Sequence, residues 1–265
     1  MRAEILFLGS GTSMGVPTLG CRCAVCTSAD PRNRRTRPSI AVEWRAEDNA
    51  AKHTVVIDTG PDFREQALRE KIHRVDAVFY THSHADHILG MDDLRPLSFQ
   101  HKPASLPLYA DEATAGILRR VFDYTFSADS TYPTRARVEL RSLEGEQTAA
   151  LMGACFQRIP LMHGEMAVAG FRFGAAAYLT DMSTIPESSL PLLAGLDVLI
   201  LDALRPQPHP SHATIDEALG WVERVGPRRA FFTHMSHEVD HAAMEATFPP
   251  HVRLGYDGLR IPFEL

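Results

Sequence analysis

The stretch Thr81-His82-Ser83-His84-Ala85-Asp86-His87 puts three imidazoles and a carboxylate within six residues, directly after the apolar run DAVFY at 76–80. His82 and His84, two apart on extended backbone, can point the same way. Asp86 and His87 follow where the chain can turn. Imidazole with carboxylate suits zinc, manganese or iron. The competing reading is a His-rich surface loop, or a helix start capped by Asp86; ligand type, spacing and the preceding strand together speak for metal. A second concentration is Cys21-Arg22-Cys23-Ala24-Val25-Cys26. Three thiolates so placed can share one zinc but need a fourth ligand. Free buried thiols or a reactive cluster are the alternatives, and a Cys21–Cys23 disulfide would be strained and leave an odd thiol. The third feature is Ser211-His212-Ala213-Thr214, which leads into IDEALGWVERV. A His in front of a helix is commonly a capping or surface residue, so an active-site role for His212 needs further support.

Such side chains need rigid supports. EILFL at 4–8 reads as a buried strand feeding Gly9-Ser10-Gly11, and residues 12–38 as a long loop that something must hold. Strands are expected at 39–44 and 54–57, joined by a polar hairpin connection over 45–53. Pro61 can open a helix that FREQALRE continues. Further strands are expected at 76–80, 154–159, 167–173, 175–179, 197–201 and 229–232, and helices at 111–122 and 214–225. Residues 127–148 read as loop and short strands. Strand after strand ends in a polar residue suited to a metal: Asp58, His82, Asp181, Asp202 and His234. Cys155 reads as core. His53, His73, His101, His209, His241 and His251 match no motif and read as surface. In Asp92-Asp93-Leu94-Arg95, the arginine reads as an ion-pair partner of Asp92 or Asp93, with phosphate binding as the alternative.

The chain has 265 residues, 45% hydrophobic and 23% charged, with a formal net charge of −6. These proportions exclude wholesale disorder. No apolar run approaches the roughly 18 residues of a membrane span, and the N-terminal residues lack a secretory pattern. A cytoplasmic location with no membrane partner is the expectation. The acidic balance argues against a broad nucleic-acid face. No repeat or boundary divides the chain, so one domain over 1–265 is expected.

The H-x-H-x-D-H run resembles the hallmark of the metallo-β-lactamase superfamily, and 11–26, from Gly11-Thr12-Ser13-Met14-Gly15-Val16-Pro17 through Cys26, resembles its PhnP-like phosphodiesterases. The resemblance implies an α/β fold: an αββα sandwich of two mixed sheets flanked by helices, with a two-metal site at one edge. It implies that one metal takes His82, His84, His163 and Asp181, and the other Asp86, His87, Asp181 and His234, with Asp58 behind them. The catalytic ions would be zinc or manganese. Cys21, Cys23, Cys26 and His237 would hold a structural zinc. His212 would donate a proton, and Asp86 would orient the nucleophile. The implied reaction is hydrolysis of a small cyclic or nucleotide-like phosphodiester, of the phosphoribosyl 1,2-cyclic phosphate kind, by a metal-activated hydroxide. A tRNA 3′-end endonuclease and a non-catalytic metal-binding protein are the alternatives. The first lacks its long basic arm here, and the second sits badly with a complete ligand set. A homodimer is implied by resemblance alone.

Overall fold

The computed structural model describes residues 1–45, 51–129 and 131–265. One sheet contains β1 (Arg2–Gly9), β2 (Ser39–Arg45), β3 (Lys52–Ile57), β4 (Ala77–Phe79), β5 (Leu106–Ala110) and β6 (Val138–Ser142). A second contains β7 (Thr148–Leu151), β8 (Ala154–His163), β9 (Met166–Phe173), β10 (Ala176–Leu179), β11 (Val198–Asp202), β12 (Arg229–Thr233) and β13 (Val252–Leu254). β14 (Arg260–Glu264) returns to pair with β1, so the orders are β14-β1-β2-β3-β4-β5-β6 and β13-β12-β11-β10-β9-β8-β7.

Apolar alternation decides the layering. In β1, Ile5 and Phe7 face the space between the sheets, while Leu6 and Leu8 face outward. In β11, Val198 and Ile200 face inward and Leu199 and Leu201 outward. Both faces are buried, which is why these strands read as unbroken apolar runs rather than alternating ones. Helices Phe63–Arg69 and Glu112–Val121 cover the first sheet through Phe63, Ala115 and Leu118. Helix Ile215–Val225 covers the second through Ile215, Ala218 and Val222. The result is the expected αββα sandwich.

The expected strands and helices form with ends that coincide or shift by up to four residues. Helix Phe63–Arg69 starts two residues after Pro61; its N-cap Asp62 makes no capping bond because the carboxylate accepts from Arg37 instead. Helix Ile215–Val225 carries a full capping box between Thr214 and Glu217. β2 and β3 pair antiparallel, as a hairpin requires; residues 46–50 of that connection lie outside the described residues. β5, β13 and β14 have no counterpart in the sequence reading. They are short, and Pro107 and Pro262 inside two of them weaken the strand signal.

Two expectations are corrected. Cys155 is exposed, because the alternation of β8 turns it outward. His241 is not a surface residue; it is 1% exposed, next to Arg32 and Arg35. Burial, helped by the Arg32 charge, pushes its pKa down to about 4. The unfolded chain takes up this proton near pH 6.5 and the folded chain only near 4. Stability from this group is therefore complete above pH 6.5 and is lost as the pH falls toward 4. Between pH 7.5 and pH 5, His241→Gln should remove about 2 kcal/mol of the acid-induced loss of unfolding free energy. Urea denaturation of both proteins at the two pH values measures this.

Candidate metal centre

Parallel runs carry their C-terminal ends to one edge of both sheets. β3, β4, β5 and β6 are parallel, as are β10, β11, β12 and β13. Asp58, His82, Asp181 and His234 follow β3, β4, β10 and β12, while His163 and Asp202 end β8 and β11. Asp58, Asp181 and His234 have φ of 65°, 49° and 61°. That left-handed backbone costs non-glycine residues about 1 kcal/mol or more each. Each of the three lies just where its strand stops. The sheets are joined under the site by the Ala169 N–H donating to the Thr81 carbonyl at 2.9 Å.

Ligand atoms of His82, His84, His163 and Asp181 lie within 4.8 Å of one another, and so do those of Asp86, His87, Asp181 and His234. Asp181 belongs to both groups. Its Oδ1 is 3.9 Å from His82 Nε2, while its Oδ2 is 3.0 Å from His87 Nε2 and 3.2 Å from His234 Nε2. Asp86 Oδ2 is 3.3 Å from His87 Nε2 and 3.7 Å from His234 Nε2. His84 alone of the seven residues is exposed, so the centre opens on its side.

The far nitrogens of several imidazoles are held from behind. His87 Nδ1 is 2.7 Å from Asp58 Oδ2, His163 Nδ1 is 2.7 Å from the Ser211 carbonyl, and His82 Nδ1 is 3.0 Å from Thr81 Oγ1. Asp58 also accepts from the Thr81 N–H and hydroxyl. Such partners fix ring orientation and tautomer and raise ligand basicity. Thr59 N–H donates to the His87 carbonyl, and a Cβ on Gly60 would lie 2.0 Å from the Asp86 carbonyl oxygen. Only glycine lets the Asp58 loop pack this closely on the Asp86–His87 segment.

Burial disfavours charge on all these groups, and mutual attraction overcomes it at Asp86, Asp181, His87 and His234. His234 and His87 keep Asp181 well below the usual carboxylate range despite burial. The carboxylates of Asp181, Asp86 and Asp58 outweigh burial at His87 and hold it well above its ordinary value. His82 is pushed the other way, first by burial and then by the His87 charge. Among the described residues no Lys or Arg pairs with Asp58, Asp86, Asp181 or Asp202. The buried atoms Asp86 Oδ2, His87 Nε2 and His234 Nε2 have no hydrogen-bond partner. Surplus buried carboxylate with unsatisfied nitrogens aimed at it fits divalent cations.

Ligand atoms of Cys21, Cys23, Cys26 and His237 also lie within 4.8 Å of one another, with His237 Nδ1 at 3.2 Å from Cys21 Sγ and 3.4 Å from Cys23 Sγ. The Cys26 N–H, then the His237 ring, pull the Cys23 thiol down to about 6, toward the thiolate that zinc binds. This group fits a closed structural zinc. It joins the loop after β1 to the loop after β12, which a bridge between Gly11 and Met235 also ties together.

His212 lies against both halves of the centre, stacked on His234 at 4.6 Å and edge-on to His163 at 4.5 Å. Its Nδ1 is 2.7 Å from Asp202 Oδ2, which also accepts from the Met182 N–H. The Ala213 N–H bonds the Met182 carbonyl, fixing the His212 turn beside Asp181. Sequence reasoning marked Asp202 as a strand-end ligand type but gave it no partner. It missed Arg35 entirely. That guanidinium, 1% exposed, donates to the Ser236 and Val239 carbonyls and to Asn33, and burial pushes its pKa down to about 10. Nothing in the sequence separates Arg35 from its neighbours Arg34 and Arg37. Arg95 pairs with Asp92 at 3.5 Å, as expected.

A model described as the beta-lactamase superfamily domain matches residues 53–235. A crystal structure of a diphosphatase from the PhnP family aligns with TM-score 0.92 and 49% identity, over 100% of this chain and 98% of that one. The octanoyltransferase of Porphyromonas gingivalis is 35% identical over 256 residues, 96% of this chain and 50% of its own length. The chain thus spans half of that relative. Coenzyme PQQ synthesis protein B of Methylorubrum populi is 28% identical over 222 residues, 75% of this chain and 72% of that protein.

Two substitutions probe the two metal groups separately. Gly60→Ala should force the Asp86 carbonyl aside, lower unfolding free energy by about 2 kcal/mol and weaken retention of ions at the Asp86–His87 side; dialysis against graded chelator reads the second effect. Cys23→Ser should lower the ion content by about one per chain relative to the wild type, lower Tm, and spare most turnover at low temperature. Unchanged ion content and Tm would remove zinc from the Cys group.

Proposed function

The chain belongs to the β-lactamase superfamily of metal-dependent hydrolases, and within it to the PhnP family, and from that premise we propose that it hydrolyses a small cyclic or nucleotide-like phosphoric diester at a two-metal centre. The observation that carries this reading is Asp181, whose two carboxylate oxygens face the two ligand groups separately. Two divalent ions, zinc or manganese, held by His82, His84, His163 and Asp181 and by Asp86, His87, Asp181 and His234, would activate a water and neutralise charge on the phosphate.

The chain's own residues divide the remaining work. Asp181 sets the separation of the two halves and shares its charge between them. Asp86, within reach of His87 and His234, would orient the attacking water. His212 presents Nε2 toward the centre because Nδ1–H is engaged by Asp202. Asp202 holds the ring in place through Nδ1, and His212 would hand a proton from Nε2 to the departing alkoxide. An alkoxide is a poor leaving group and needs that proton. A diphosphate bond is a second linkage suited to the same centre, favoured by the diphosphatase of the PhnP family at 49% identity. Its leaving phosphate needs the proton far less.

Asp181→Ala should abolish turnover of every substrate. His212→Ala should slow an alkyl phosphodiester by two to four orders of magnitude and a nitrophenyl phosphodiester by much less. Steady-state rates of both variants on both esters decide it; equal losses at His212 would take the proton donor out of the reaction.

A further inference from the structure

At the opposite end of the parallel strands lies a cavity of about 700 Å³ lined by Phe99, residues 102–105, Thr125 and residues 131–138. The metal residues follow the C-terminal end of β4, whereas this cavity is walled by residues just before β5 and at the start of β6. Its lining carries Lys102, Arg135 and Arg137 and, among the described residues, no carboxylate. None of the three cations is in an ion pair among the described residues, although Arg32, Arg224, Arg229 and Arg260 all are. Asp123 and Asp129 face a separate hollow across residues 131–133. Three unpaired cations in one hollow of a chain with net charge −6 form a local positive field, not a background.

Two aromatic rings, Phe99 and Tyr132, stand in the same wall, 37% and 46% exposed. Lys102 Nζ sits 5.9 Å over the Phe99 ring. Tyr132 Oη accepts from Arg95, and the Arg137 N–H donates to Ser98 Oγ, so both sides of the cavity are anchored to the segment that runs down from the metal centre. Guanidinium and ammonium groups recognise phosphate, exposed rings stack on planar bases, and the volume matches a small-molecule site.

We propose that this cavity is a second ligand site, which binds a nucleotide with its phosphate on Lys102, Arg135 and Arg137 and its base against Phe99 and Tyr132. The site is independent of the metal centre. Equilibrium dialysis of adenosine 5′-monophosphate against the metal-loaded protein tests it, with adenosine and inorganic phosphate as separate probes. The wild type should bind the monophosphate saturably and at least tenfold more tightly than either probe. Lys102→Glu combined with Arg137→Glu should weaken binding tenfold or more, Arg137→Lys should largely preserve it, and Asp181→Asn should leave it in place. Both reversed residues are exposed, and melting temperatures check that the variants stay folded. Monophosphate binding that survives the double reversal, that disappears in Asp181→Asn, or that never appears in the wild type would overturn the site. Phosphate binding as tightly as the monophosphate would overturn the role given to the rings.

Discussion

Four carboxylates, Asp58, Asp86, Asp181 and Asp202, are buried at one edge of two sheets with no basic side chain from Lys or Arg beside them among the described residues. Isolated buried charge is expensive. Here it is tolerated because each carboxylate is held by imidazole or backbone N–H groups, and because the group as a whole is shaped to receive cations. The strained backbone at Asp58, Asp181 and His234 and the glycine contact at Gly60 both serve this arrangement. A sandwich that merely buried apolar surface would need none of them.

The same constraint accounts for the two kinds of histidine at the edge. His82, His84, His87, His163 and His234 turn a nitrogen toward the shared space, and three of them have the other nitrogen fixed by Thr81, Asp58 or the Ser211 carbonyl. His212 differs in belonging to neither of the two groups that share Asp181, and its Nδ1 meets the carboxylate of Asp202.

A second line of support runs through the Cys group. Cys21, Cys23 and Cys26 close on His237, and Arg35 bonds the carbonyls of Ser236 and Val239, so the segment 236–239 is gripped from two directions. His234, in a left-handed conformation two residues earlier, inherits that rigidity. A loop of almost thirty residues without periodic pattern is ordered by a few polar contacts rather than by a core of its own.

The sequence by itself determined the strands that bury both faces, the H-x-H-x-D-H run, the Cys triplet and the polar residues at strand ends. Each of these is local: an apolar run, a spacing or a residue type next to a turn. Short strands holding Pro107 or Pro262 stayed illegible because their pairing comes from neighbours, not from their own pattern. Cys155 and His241 were read the wrong way round, since residue type alone does not say which face of a strand is covered or which helix closes over an imidazole. Only the tertiary structure decided that Asp202 belongs to His212, that Arg35 holds the loop of His234, and that Asp181 divides its oxygens between two groups. These are contacts between residues 10 to more than 200 positions apart, fixed by where two sheets meet, and no local pattern encodes a distance of that kind.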